Sequence, residues 1–168
     1  MQVVFGEPGS PWFTPGYPAI EATVLRLVET FGDRVVLTRF VAPGQPQGSW
    51  REYYRQWPFA LVPPDDRIYE LMPAFGGSVA PVVTRTSFGK WGEELAAAVG
   101  DADEIVLAGV STDCCVLATA LAAADAGMRV RVVADATAGV SETDHERALA
   151  AMALWAPQIT VVTAEAVA

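Results

Sequence analysis

Side chains able to ligate metals or cycle between redox states are scarce in this 168-residue chain. It has one histidine, His145, and two cysteines, Cys114 and Cys115. The cysteines are sequence neighbours, which a normal structural disulfide cannot join without strain. Nor do they have the spacing of a C-x-x-C redox motif. A reducing, cytoplasmic setting is the resulting expectation. His145 stands near a predicted helix start, where capping or packing accounts for it. Positive charge is also scarce: 11 Lys and Arg against 20 Asp and Glu leave a net charge of −9. That balance argues against nucleic acid and anionic membrane surfaces as partners. The apolar runs are too short and interrupted to span a bilayer, and no basic-then-apolar leader is evident. There is no G-x-G-x-x-G after the first strand and no G-x-x-x-x-G-K-[ST], so nucleotide binding lacks its chemistry. No internal repeat appears. What is present is 52% hydrophobic residues, in a length that suits one domain, residues 1–168, with a sizeable core.

The stretch Glu104–Thr119, EIVLAGVSTDCCVLAT, organises the rest. Ile105 to Ala108 form a continuous apolar run, as in a strand buried on both faces of a parallel sheet. Gly109 to Thr112 predict a tight turn, and Asp113 onward a helix rich in Ala and Leu. Cys115 therefore falls at the carboxyl end of a strand and in the first turn of a helix. Unpaired N–H groups and the helix dipole favour a thiolate there, which is how an attacking sulfur is prepared. The alternative is a small buried apolar residue, the usual fate of a free cysteine.

The remaining chain alternates helix and strand. Met1–Phe5 is apolar and predicts the tail of a strand, followed by a Pro/Gly loop, Gly6–Gly16, carrying Trp12 and Phe13. Pro18 suits a helix N1 position, and Ile20, Val24, Leu27, Val28 and Phe31 recur at helical spacing up to Gly32. Strands are predicted over Arg34–Phe40, Pro81–Thr84, Arg129–Val133 and Ile159–Thr163. Helices are predicted after Asp65 or Asp66, over Gly92–Val99, and from Ser141 to Trp155, where Ser141 and Asp144 resemble a capping box. Ala42–Pro64 is the longest irregular segment and holds Trp50, Tyr53, Tyr54, Trp57 and Phe59. It either caps a site or packs over the sheet edge. Arg51 and Arg55, four apart, would share a helical face and could hold a substrate carboxylate. Short links between alternating strands and helices predict an α/β fold with a parallel sheet and right-handed crossovers.

GVSTDCCV followed by LATALAAADAGMRVRVVADATAGVS resembles the isochorismatase-like cysteine hydrolases, whose nucleophile motif is approximately G-V-x-T-x-x-C-V. Gly109, Val110, Thr112, Cys115 and Val116 fall on it. GSPWFTPG and TRFVAP upstream are similar to the same family, so the resemblance covers nearly the whole chain. It implies a three-layer doubly wound fold with a mainly parallel sheet, and a homo-oligomer, dimer or tetramer. It also implies a covalent mechanism on a small-molecule substrate without cofactor, in which Cys115 rather than Cys114 attacks a carbonyl. Backbone N–H groups of Ser111 and Cys115 would hold the oxyanion. A non-proline cis peptide in the turn would here be Val110–Ser111. Metal-binding members carry a D-x-H-x-x-H-like cluster where this chain reads TRFVAPGQPQ, so no metal is expected.

The chain departs from the family in two places. The family's basic Asp ends the first strand, in a segment like V-I-D-M-Q, and this chain matches that segment only from Met1. The aspartate and most of that strand would lie just before residue 1, between Arg34–Phe40 and Glu104–Ala108. The family lysine aligns with Arg85, which cannot release a proton. Lys90, the one lysine of the chain, lies in the same FGKW segment and is the other candidate partner of the thiolate, unless it is a plain surface lysine. Trp12, Phe88, Arg51 and Arg55 are candidate substrate contacts. Three functions follow: a cysteine hydrolase of small amides or ureides, or a related small acid; a binding or assembly subunit of the same fold that has lost catalysis; and a thiol redox protein using Cys114 and Cys115.

Overall fold

A computed structural model describes residues 1–167. Five parallel strands form two blocks. β1 (Leu37–Phe40) pairs with β2 (Val82–Arg85), Leu37 opposite Val82 and Phe40 opposite Arg85. The other block, β3 (Glu104–Val110), β4 (Arg129–Ala138) and β5 (Ile159–Val162), lies in the order β3-β4-β5. Helices make every crossover between successive strands of the second block, as parallel pairing requires.

The layers follow from the period-2 alternation of β4. Val130 and Val132 pack on one face with Ala120 and Ala123 of α5 (Leu117–Asp125) and Met152 of α6 (Glu142–Ala153). Val133 and Ala136 pack on the opposite face with Tyr17, Ile20, Val24 and Leu27 of α2 (Tyr17–Phe31). Alanines on α5 let helix and sheet approach closely. Of the predicted capping box the N-cap half is present: Ser141 Oγ accepts the Asp144 N–H at 3.1 Å, while the Asp144 carboxylate accepts from the Ser141 hydroxyl rather than from its backbone N–H.

Between the two blocks lies a slot. The edges of β1 and β3 that carry no partner strand border a cavity of about 650 Å³, lined by Leu37, Thr38 and Phe40 on one side and Ile105 to Ala108 on the other. Residues of α2 and of α4 (Glu93–Val99) cover its two faces, and Cys115 and Lys90 line one end. The gap is where the resemblance puts the family's first strand.

Four local expectations need correction. Met1–Phe5 is not a strand tail: Val3–Gly6 forms one helical turn, α1, and Gln2 makes a lone antiparallel bridge to Leu71. The Gln2 side chain explains it. Its amide donates to Phe40 O and Tyr69 O and accepts from Phe40 N, at 2.7–2.9 Å. These buried bonds hold the segment in place, and tertiary context overrides the strand preference of Val-Val-Phe. β4 runs to Ala138 rather than Val133, because Thr137 and Ala138 pair with Gly109 and Val110 beyond a register shift in β3. The nucleophile turn does not enter an α-helix directly. Thr112–Val116 forms a π-turn before α5, a feature frequent at functional sites. The aromatic segment contains a short helix, α3 (Trp50–Gln56).

Candidate active site

Cys115 lies within the π-turn that follows β3, where the first N–H groups of a helix have no helical partner. The Val110–Ser111 peptide is cis. Lys90 is buried, and its Nζ stands 3.6 Å from Cys115 Sγ. The same nitrogen donates to Ser87 O at 2.9 Å and Phe88 O at 2.6 Å. An ammonium has three N–H donors, and these three acceptors use all of them. Nζ also sits 5.7 Å from the centroid of the Phe40 ring, within cation–π range. Burial draws the Lys90 ammonium below its ordinary pKa, and the Cys115 sulfur pulls it back up. Arg85 acts on Lys90 as a like charge. Its own guanidinium lies under Gly92 and reaches Glu94 at 4.0 Å. The structure thus brings Lys90, not Arg85, onto the sulfur.

Cys114 has different surroundings. Its Sγ lies 3.5 Å from Asp113 Oδ2, and burial, reinforced by that carboxylate, pushes its thiol up to about 12. Asp113 Oδ1 accepts the Val140 N–H at 3.0 Å, and His145 Nδ1 lies 2.9 Å from Thr112 Oγ1. His145 therefore packs against the nucleophile turn through its hydroxyl neighbour.

Aromatic rings cluster beside the thiols. Tyr53 contacts Trp12, Trp50 and Phe88 at centroid distances of 6.0, 5.2 and 5.6 Å. Burial first, then the nearby Cys114 and Cys115 sulfurs, push its phenol up to about 12. Trp12 and Phe88 thus belong to a ring cluster that adjoins the thiols through Tyr53. Arg51 and Arg55 do not join it: both are exposed, Arg55 bonded to Glu52 and Arg51 to Pro46 O.

Two contributors escaped the sequence reading. Gln2 fixes the end of β1 and so the Phe40 ring facing Lys90. Thr119 contacts both Cys115 and Lys90. The available signal for Thr119 was a hydroxyl one helical turn after the cysteine in an otherwise apolar run.

Lys90 has a direct test. An ammonium at this range stabilises a neighbouring anionic sulfur and so the attacking form of the nucleophile. Lys90→Met is therefore expected to slow iodoacetamide labelling of Cys115 at pH 7 by about tenfold or more. Mass spectrometry of the labelled peptide over time measures it, and a parent-like rate would remove Lys90 from the site.

Comparison with known proteins agrees with this fold. The isochorismatase domain model matches residues 1–166, and the chain belongs to the isochorismatase family. It is 32% identical to isochorismatase domain-containing protein 2 of Danio rerio over 81 residues, 46% of this chain and 41% of that protein. The Xenopus laevis protein of the same description is 37% identical over 84 residues, 48% of this chain and again 41% of the relative. The matches thus span less than half of these curated relatives. Among solved structures, a cysteine hydrolase from Pseudomonas syringae pv. phaseolicola 1448A superposes with a TM-score of 0.88 at 21% identity, covering 99% of this chain and 86% of the other. The Bacillus subtilis nicotinamidase superposes with a TM-score of 0.74 at 23% identity, covering 96% and 94%. At these identities the likeness is one of fold.

Proposed function

We propose that this chain is a cysteine hydrolase that cleaves C–N bonds of small amides or ureides through a covalent Cys115 intermediate. The observation that carries the reading is Lys90 Nζ at 3.6 Å from Cys115 Sγ, in a buried turn at the carboxyl end of a parallel strand. The ammonium stabilises the thiolate. The sulfur attacks the substrate carbonyl, an S–C bond forms, and the oxyanion is held by the amides of Ser111 and Cys115. The C–N bond then breaks, and the amine departs with a proton from the Lys90 ammonium. Water attacks the thioester, returns a proton to the site and releases the acid, regenerating the thiolate. In the family that the chain resembles, an aspartate serves as the base for that water.

A second reading is a binding or assembly subunit of the same fold, in which the Lys90–Cys115 pair sits in the site without turning substrate over. Labelling and turnover separate the two. Iodoacetamide at pH 7 is expected to modify Cys115 well ahead of Cys114, whose thiol stays protonated there. Label on Cys114 with Cys115 untouched would sink the nucleophile assignment. Rapid labelling of Cys115 without release of ammonia or amine from any of a panel of amides and ureides would favour the second reading.

A further inference from the structure

Cys115 and Lys90 come from separate elements, and their separation has to be held by something other than their own contact. We propose that Thr119 is the positioning residue that sets the distance between the Cys115 sulfur and the Lys90 amine. This inference rests on the reading of those two residues as the reacting pair.

Thr119 lies one helical turn beyond Cys115 on α5 and is only 4% exposed. Its Oγ1 donates to Cys115 O at 2.6 Å and accepts the Lys90 N–H at 2.9 Å. One hydroxyl therefore joins the backbones of both residues. A hydroxyl has a single donor, and here the donor is committed to the nucleophile's carbonyl and an acceptor site to the lysine's amide. In a buried setting such linked bonds polarise one another.

The segment carrying Lys90 is built to be docked as a unit. Ser87 Oγ donates to Gly89 O at 2.9 Å, and Lys90 Nζ bonds back to Ser87 O and Phe88 O. The loop thus curls around its own amine, independently of α5. A Cβ at Gly89 would stand 3.3 Å from Ala118 O, tighter than ordinary contact, against backbone that cannot turn aside. Glycine there lets the curled loop close onto the helix, and Thr119 then fixes how close it comes. Threonine suits the position because its Oγ1 can bond the carbonyl four residues back while its methyl stays in apolar surroundings.

The test compares Thr119→Val, Thr119→Ser, Gly89→Ala and Lys90→Met with the parent chain. The rate of Cys115 labelling by iodoacetamide is followed against pH by mass spectrometry, with thermal melting recorded for each. Thr119→Val keeps the shape and loses both bonds. Its labelling profile is expected to move to higher pH, with a rate at pH 7 about tenfold lower, the effect of about 1.4 kcal/mol. Thr119→Ser is expected to restore most of the rate, and Gly89→Ala to move the profile in the same direction as valine. Should valine at 119 prevent folding, the serine and alanine variants carry the comparison. A parent-like profile for Thr119→Val, even with a lowered melting temperature, would overturn the proposal and leave Thr119 a structural residue only. So would a Thr119→Ser variant as slow as the valine, or a parent-like Gly89→Ala. If Lys90→Met itself leaves the profile in place, the reacting pair is wrong and the proposal falls with it. That failure is distinct from one in which Lys90→Met moves the profile and Thr119→Val does not.

Discussion

Under the proposed mechanism, exchanging Cys115 for alanine is expected to lower turnover of an amide or ureide substrate by about a thousandfold or more, while Cys114→Ala leaves turnover in place. The contrast follows from two adjacent sulfurs in unlike surroundings. Cys115 has an ammonium at 3.6 Å and the free amides of a helix start. Cys114 faces the Asp113 carboxylate and is half-buried, with its thiol pushed up to about 12. At pH 7 a thiol of that kind is ionised in roughly one part in 10⁵, so it contributes almost no nucleophile. Cys115→Ser is the sharper version. It keeps the volume and hydrogen-bonding capacity of the site but replaces the sulfur by a hydroxyl that a neighbouring ammonium does not ionise. Release of ammonia or amine from the panel measures all three variants, with circular dichroism to establish folding. Parent-like turnover by Cys115→Ala would remove the covalent mechanism altogether. Loss of turnover in Cys114→Ala alone would move the nucleophile by one residue.

The sequence made the scaffold of this site legible and left its fastening hidden. The apolar run Ile105–Ala108 does form a strand with Cys115 just past its end, but the strand runs on through Gly109 and Val110, and Ile105–Ala108 stand half-buried to exposed beside the slot rather than buried on both faces. Ser141 and Asp144 announced a helix start through local chemistry alone, and the bond is there. The second half of β4 was illegible because Asp135, Ala136 and Ala138 have poor strand preference. Pairing with Gly109 and Val110 across the sheet decides their conformation. The choice between Arg85 and Lys90 was open for a related reason. Arg85 ends β2 and aligns with the family lysine, Lys90 comes five residues later, and only the curl of Ser87–Lys90 shows which cation turns inward. Gln2 reaches Phe40 and Thr119 reaches Lys90 across 38 and 29 residues of sequence, and no local pattern encodes those two contacts, although the bond of Thr119 to Cys115 lies within one helical turn.

A version of the chain extended upstream of Met1 by roughly six to ten residues, forming an apolar strand that ends in Asp, is expected to melt higher and turn over faster. The slot supplies the argument. It runs between the edges of β1 and β3, with Val24, Leu27 and Val28 on one face and Leu95, Ala98 and Val99 on the other. A strand placed there would be apolar on both sides, as central parallel strands are. The carboxyl ends of β1 and β3 converge on the same point: Gln2 bonds Phe40, and a Cβ on Gly109 would lie 3.3 Å from Met1 Sδ. A strand parallel to both would therefore leave the slot at Met1, beside Cys115 and Lys90. The Met1 amino group is buried there, and burial draws its pKa down to about 6. In the extended chain an amide takes its place, which removes an ionisable group from the interior. Ladder bonds to two edges, at about 1 kcal/mol net each, and apolar burial at about 25 cal/mol per Å² together amount to several kcal/mol. Against a total of roughly 5–15 kcal/mol, that corresponds to a rise in melting temperature on the order of 10 °C or more. The terminal Asp has a separable effect. Asp→Asn in the extended chain should keep the gain in melting temperature and lose the gain in turnover, since only the carboxylate takes a proton from the attacking water. Equal melting temperatures for the two lengths would show that the slot takes no strand. A higher melting temperature with unchanged turnover, in the Asp and Asn forms alike, would show that the strand completes the sheet without supplying the base.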